Sequence, residues 1–254
     1  EAGAILFSSD GGATWRPVAV STEVLSCVSF VSDRTGWAAG YAGRIQRTDD
    51  GGRTWVNQRI ERETEVINAI RFLDTTHGWV VGGSGLMLRT VDGGATWVPV
   101  QTNREEDLWA IRFSSPDRGW AVGEGGLVLA TTDGGATWSS VPSGTDKALT
   151  GLAVSAAGVA VAVGEAGTIV RSDDGTTWRT VVAPTTESLN AVAATGPGVF
   201  YAVGSGGTCV SSTDGGVSWT VDQPASPRTM LAIAPVDERR AAAVGRHGAT
   251  QHIE

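Results

Sequence analysis

Apolar and polar positions alternate along this chain in bursts of four to six residues, and clusters of turn-forming residues separate the bursts. The clearest stretch opens with LWAIRF (Leu108 to Phe113), turns through SSPDRG, and continues as WAVG (Trp120 to Gly123). A glycine turn, Glu124-Gly125-Gly126, leads to a third burst, LVLAT, and a fourth begins at Trp138. Four β-rich bursts bounded by turn signals predict one antiparallel meander. Nowhere does the pattern hold the 3.6-residue period of a long amphipathic helix. The expected class is all-β.

The meander recurs, and an eight-residue phrase marks each recurrence. It reads SSDGGATW (Ser8 to Trp15), TDDGGRTW (Thr48 to Trp55), TVDGGATW (Thr90 to Trp97) and TTDGGATW (Thr131 to Trp138). SDDGTTW (Ser172 to Trp178) and STDGGVSW (Ser212 to Trp219) complete the set. The aspartates Asp10, Asp50, Asp92, Asp133, Asp174 and Asp214 are spaced by 40, 42, 41, 41 and 40 residues. A fixed period of about 40 residues marks a propeller or solenoid.

Complete four-strand units begin at Leu25, Ile67, Leu108, Leu149 and Leu189. The N-terminus supplies a third strand (Ala4 to Phe7), a phrase and a fourth strand; the C-terminus supplies a first (Met230 to Pro235) and a second (Ala241 to Gly245). Joining these halves predicts a single β-propeller domain over 1–254, with six four-stranded blades and a seam blade built from 230–254 plus 1–20. Such closure removes free strand edges. Gly248 to Glu254 aligns with a third strand that Ala4 to Phe7 already provides. It is surplus, a tail, or the start of a further repeat.

A second motif keeps step: the glycine pairs Gly40/Gly43, Gly82/Gly85, Gly123/Gly126, Gly164/Gly167, Gly204/Gly207 and Gly245/Gly248. A tight turn requiring positive φ is the expected cause. The eight-residue phrase has a structural reading too. Its Asp accepts hydrogen bonds from backbone amides further on, its Ser/Thr hydroxyl does likewise, and its terminal Trp (Trp15, Trp55, Trp97, Trp138, Trp178, Trp219) is expected to bury a large ring between sheets. The spacing and terminal Glu of a calcium-binding EF-hand are missing, so no metal is assigned.

The phrase matches the Asp-box or BNR repeat, S/T-x-D-x-G-x-T-W, of sialidases, some glycoside hydrolases and sortilin-type receptors. In three repeats it follows a longer GWxxGxxGxxxxT phrase, as in GWAAGYAGRIQRT and GWAVGEGGLVLAT. With that addition the chain resembles, over practically its whole length, the photosystem II assembly/stability factor family of β-propellers. The resemblance implies a non-catalytic scaffold that binds a protein or peptide, in the assembly or stability of a photosynthetic membrane complex, and an extracytoplasmic (periplasmic, thylakoid-lumen-like or secreted) location. Propellers of that family usually have seven blades, so six departs from the pattern.

Charge and composition narrow the field. A formal net charge of −8 with no Lys/Arg cluster excludes a nucleic-acid footprint. No apolar run approaches the ~18 residues of a membrane span, and no signal peptide is visible. Cys27 and Cys209 occupy unrelated repeat positions, so no disulfide is expected between them. Catalytic sets do not assemble. A sialidase would need a Tyr nucleophile with Glu, an arginine triad and an Asp; Tyr201 stands where other repeats carry the GW tryptophan, as a core substitute. His77 lies in a turn, His247 in a glycine turn and His252 near the end; three scattered histidines make no metal site. No GxSxG, HExxH or Walker pattern occurs. The expectation is no enzyme and no cofactor; a sialidase-like or other glycoside hydrolase, or a glycan-binding module, is the alternative.

Loops carry the better lead. Links between blades share a face with the glycine turns, and they hold Arg59, Arg62 and Arg104 among acidic residues. Tyr41 lies in a glycine turn on that rim. First strands INAIRF and LWAIRF place Arg71 and Arg112 at equivalent positions, with Trp109 nearby. Arginine on an inner strand is costly unless paired or near water. Two readings stand: local pairing with link carboxylates, or an arginine-lined patch that receives a carboxylate-bearing peptide.

Overall fold

A computed structural model describes residues 3–10, 14–20, 23–58, 60, 65–222 and 227–253. The chain forms two compact units, Glu1–Ile111 and Arg112–Glu254. In the first, a two-stranded hairpin (Ala4–Phe7, Arg16–Val20) precedes two four-stranded antiparallel blades. One blade runs Leu25–Phe30, Gly36–Gly40, Ile45–Thr48 and Val56–Gln58. The next runs Ile67–Phe72, Gly78–Gly82, Met87–Thr90 and Val98–Pro99. The division falls inside the first strand of the third repeat, Leu108–Phe113.

The second unit continues with Gly119–Gly123, Val128–Thr131 and Ser139–Val141, paired in that order. Two further four-stranded blades follow, Leu149–Val154 through Arg179–Val181 and Leu189–Ala194 through Thr220–Asp222. A last sheet has three strands, Met230–Pro235, Ala241–Gly245 and Thr250–Ile253. With the N-terminal hairpin set apart, these are six blades of the all-β propeller class, five of four strands and one of three, meandering in sequence order. Among the described residues the only helical elements are single-turn 3₁₀ segments at the glycine turns, such as Tyr41–Gly43 and Glu124–Gly126.

The ends differ from the expected seam blade. Strands of 1–20 and of 230–254 fall into separate sheets, and Thr250–Ile253 takes the third-strand place assigned above to Ala4–Phe7. The reason is local. Thr250–Ile253 pairs back onto Ala241–Gly245 across a single turn, at small loop-closure cost, and it buries Gln251 and Ile253 in doing so.

Packing runs in layers. Second strands of the four-stranded blades are buried along their length. A ring that lies between neighbouring repeats is the GW tryptophan, and Trp219 of an Asp-box shares a core cluster with Val161 and Val163 of the preceding blade. Trp37 stacks on Phe72 with centroids 3.5 Å apart and planes 4° apart, and donates Nε1–H to the Gly93 carbonyl at 3.1 Å. Trp120 does the same to the Gly175 carbonyl at 2.7 Å. Box tryptophans instead lie edge-on to a phenylalanine of their own blade: Trp55 on Phe30, Trp97 on Phe72, Trp138 on Phe113. Trp138, Trp178 and Trp219 are buried, Trp55 and Trp97 half-buried, and Trp15 is 53% exposed, a correction to the expectation that all six bury their rings. Tyr201 is buried and its hydroxyl donates to the Arg239 carbonyl. Cys27 and Cys209 are free thiols.

Candidate protein-binding surface

Each blade has two chemically different ends. At one lie the Asp-boxes, and the backbone ties them to the turn between the first and second strands: Gly51 N–H donates to the Arg34 carbonyl, Gly93 to Thr76 and Gly134 to Asp117. Within the box at 131–138, the Thr131 hydroxyl donates to Asp133 Oδ1 at 2.8 Å and accepts from Gly135 N–H at 2.9 Å. Asp133 also accepts the amides of Ala136 and Thr137 and the Thr137 hydroxyl. The same web surrounds Asp50, Asp92 and Asp214, and most of it surrounds Asp10 and Asp174. Threonine hydroxyls and amides aimed at the carboxylates hold Asp10, Asp50, Asp92 and Asp133 down at about 2. Asp174, held first by backbone amides, and Asp214, held first by the Ser218 hydroxyl, lie lower still. These carboxylates are acceptors built into turns. Among the described residues no cluster of His, Cys, Asp and Glu could hold a metal.

At the other end the glycine turns meet the links between blades. The two glycines of each pair serve different needs, which corrects the single cause expected above. Gly40 is extended, and a Cβ there would lie 2.1 Å from the Val24 carbonyl, which instead receives Tyr41 N–H at 2.9 Å. Gly43 has φ +61°. The residue between them also has positive φ, as at Ala42, Ser84 and Ala166.

This end holds three of the expected site residues. Tyr41 is 49% exposed on its turn. Arg104 forms an ion pair with Glu106 at 3.6 Å, and beside it Asp107 Oδ1 accepts Ser84 N–H at 2.8 Å. Trp109 is half-buried at the second position of its strand. Arg59 and Arg62 lie outside the described residues.

The second position of the inner strand forms a row that the sequence reading overlooked. Ser26, Asn68, Thr150 and Asn190 each donate a side-chain hydrogen bond to the first carbonyl of the following inner strand, at Ile67, Leu108, Leu189 and Met230, over 2.6, 3.0, 2.7 and 2.7 Å. A β-bulge at this position in each of these strands re-aims the side chain. The signal was in the sequence, as small polar residues one place after each initial Leu or Ile. Trp109 departs from it.

Arg71 is not on that rim. It is the fifth residue of Ile67–Phe72, opposite Trp79, while Ile67 pairs with Gly82 beside the glycine turn. Three residues of extended chain, about 10 Å, separate its level from that of Asn68, so it belongs to the half of the strand nearer the boxes. Strand register, invisible in a linear motif, makes this correction. Trp79 in turn faces Arg89, whose Cζ lies 5.8 Å from the indole centre. Burial lowers the pKa of Arg71, and the Nε atoms of both Arg71 and Arg89 are buried without a hydrogen-bond partner. Elsewhere arginines pair locally: Arg44 with Glu23, Arg47 with Asp49, Arg171 with Asp173, Arg240 with Asp237. Among the described residues, no carboxylate pairs with Arg71 or Arg89. Arg112, half-buried at the equivalent place in the next repeat, lies in the second unit.

The sequence profile of the family described as photosynthesis system II assembly factor YCF48 matches residues 59–251. Among solved structures, YCF48 bound to a D1 peptide superposes with a TM-score of 0.61 at 21% identity, over 90% of this chain and 92% of its own. YCF48 from Cyanidioschyzon merolae gives 0.61 at 19%, over 95% and 99%. A GH74 enzyme from Niastella koreensis gives 0.76 at 13%, over 96% of this chain and 48% of the enzyme. At these identities a structural likeness speaks for fold alone. Comparison with curated proteins gives no match.

Proposed function

The chain belongs to the family of the photosynthesis system II assembly factor YCF48, and from that premise we propose that it is a non-catalytic, extracytoplasmic scaffold that binds a peptide segment of a membrane-complex subunit during assembly. The observation that carries a peptide-binding role is Arg71. A guanidinium that is half removed from water, with no carboxylate partner among the described residues and an unsatisfied Nε, is poised for a carboxylate that arrives from outside. Arg89 on the other side of Trp79 extends the same face. Tyr41, Arg104 and Trp109 offer a second set of contacts at the glycine-turn end.

The acids support the non-catalytic half of the reading. A glycosidase general acid needs a raised pKa, whereas the resolved carboxyl shifts of the described residues, at the boxes and at Asp74, Asp173 and Asp237, are all downward. Aryl glycosides and sialosides are therefore expected to yield no chromophore; turnover that survives purification would reverse the assignment.

The direct test is fluorescence anisotropy with the D1 peptide, YCF48's ligand in the solved complex, as a free acid and as a C-terminal amide. Free-acid binding is expected to exceed amide binding about tenfold, to weaken with salt, and to lose that preference in Arg71→Gln. Equal binding of acid and amide would remove Arg71 from the site. For location, a tagged native gene followed by cell fractionation should place the protein outside the cytoplasm, and recovery in the cytoplasm would refute that part.

A further inference from the structure

Two repeats carry an arginine on the third strand and an aspartate two residues further on: Arg47 with Asp49, and Arg171 with Asp173. In the other complete blades the same two places hold Arg89 and Val91, Ala130 and Thr132, and Ser211 and Thr213. Both paired arginines reach across to the box of the following blade. Arg47 Nη1 donates to the Gly93 carbonyl at 3.4 Å, and Arg171 Nε to the Gly215 carbonyl at 2.6 Å. Arg47 also lies over the Trp37 ring, its Cζ 5.3 Å from the centre. Held in this way, each guanidinium fixes the carboxylate of its aspartate.

The two sites differ in what the fourth strand offers the pair. In the later blade Arg179 stands opposite Arg171, and its Nη2 donates to Asp173 Oδ2 at 3.0 Å, so two guanidinium groups grip one carboxylate. In the first complete blade the residue opposite Arg47 is Val56, which is 69% exposed. Among the described residues, Arg47 is the one cation that pairs with Asp49. Beside this pair is a hollow of about 420 Å³, lined by Arg47, Asp49, Asp50, Thr54, Val56 and Gln58. Its walls belong to a blade whose four strands are all in place, away from either end of the chain.

The lining suits a guanidinium on an aliphatic stem. Val56 gives the methylenes an apolar wall. Asp49 keeps lone pairs beyond those used by Arg47, of the kind that Asp173 gives to Arg179. Asp50, held down at about 2 by the Thr54 hydroxyl and amide, adds negative charge although its oxygens already serve the box. Gln58 closes the floor, its Nε2 donating to the Gly93 carbonyl at 2.9 Å. Two aspartates and one arginine leave the lining one net negative charge. Arg53, close by, is engaged elsewhere, by the Asp50 carbonyl and the Phe7 ring.

We infer that the hollow beside Val56 is a binding site for an arginine side chain of a partner protein, with its guanidinium on Asp49 as the chain's own Arg179 sits on Asp173. The net charge of −8 favours the approach of a basic segment. A single exposed ion pair is weak, so the site is expected to set the register and choice of partner more than its affinity. It involves neither Arg71 nor the reading given to it.

The test is an amide NMR titration of the 254-residue chain with N-acetyl-arginine amide, the lysine and citrulline analogues serving as controls. Saturable shifts are expected at Asp49, Asp50, Thr54 and Val56, with lysine about fivefold weaker and citrulline silent. Val56→Arg, which copies the arrangement at 179, should abolish the response and leave the rest of the spectrum unchanged. Arg179→Val should do the reverse and create a second saturable response at 171–179, a gain that damage to the fold would not produce. Three results would overturn the inference. They are equal affinity for lysine and arginine, a response that survives Val56→Arg, and shifts at 49–56 that grow with protein concentration in the absence of any ligand, the mark of a second copy in the hollow.

Discussion

A single hydroxyl shows how the Asp-box works at the scale of the residue. Thr131 is 3% exposed, and its Oγ1 is both donor to Asp133 and acceptor for Gly135 N–H. Thr131→Val keeps the shape and orphans that amide, so chemical denaturation is expected to show a loss of ~1–3 kcal/mol. An unchanged denaturation midpoint would mean that the web is ornamental to stability. The roles of the box Ser/Thr, Asp and Gly were legible in sequence because they are local, closing within four residues. The box tryptophans were only half legible, because what a ring packs against is set by chain distant in sequence. Trp15 and Trp138 share a motif and differ in exposure. Arg71 is a similar case. Its type and position were readable, but its level on the strand and its missing partner were not.

At the scale of the element, the glycine turn is the part whose sequence and geometry can be separated experimentally. Gly125 and Gly126 are neighbours, both with positive φ, at +60° and +71°. A Cβ at Gly125 would meet nothing within 4 Å, and other repeats place Ala42, Ser84 and Ala166 there. A Cβ at Gly126 would sit 2.1 Å from the Thr145 carbonyl, which is backbone and cannot swing aside. Gly125→Ala is therefore expected to cost no more than ~1 kcal/mol, and Gly126→Ala more than ~2 kcal/mol, because only the latter must also displace the link. Thermal melts of the two variants decide it, and equal losses would refute the contact. The bulge at the second position of the inner strand is the other device at this scale. It turns Ser26, Asn68, Thr150 and Asn190 towards the next inner strand.

For the whole molecule, repetition turns small local effects into a property of the chain. Six box aspartates have folded pKa values below the ordinary 3.8, about 2 for Asp10, Asp50, Asp92 and Asp133 and lower for Asp174 and Asp214. A depressed carboxyl pKa stabilises the fold above the unfolded value, and that contribution is lost as pH falls through the folded one. The melting temperature is thus expected to stay nearly level from about pH 7 to pH 5 and to drop between about pH 4 and pH 2. A Tm that holds steady to pH 2 would show that the box bonds survive protonation. By itself the sequence determined the all-β class, the strand order within a repeat, the boxes, the glycine turns and the kinship with the assembly-factor family. All of these rest on short-range periodicity and backbone chemistry that recur every 40 to 42 residues. Only the tertiary structure decided that the GW tryptophan Trp37 stacks on a phenylalanine of the next repeat, that Arg71 stands at the box half of its strand, and that Thr250–Ile253 joins the last sheet as its third strand. Those outcomes follow from register and from packing between segments far apart in sequence, where a shift of one residue turns a side chain to the other face and no linear motif records the choice.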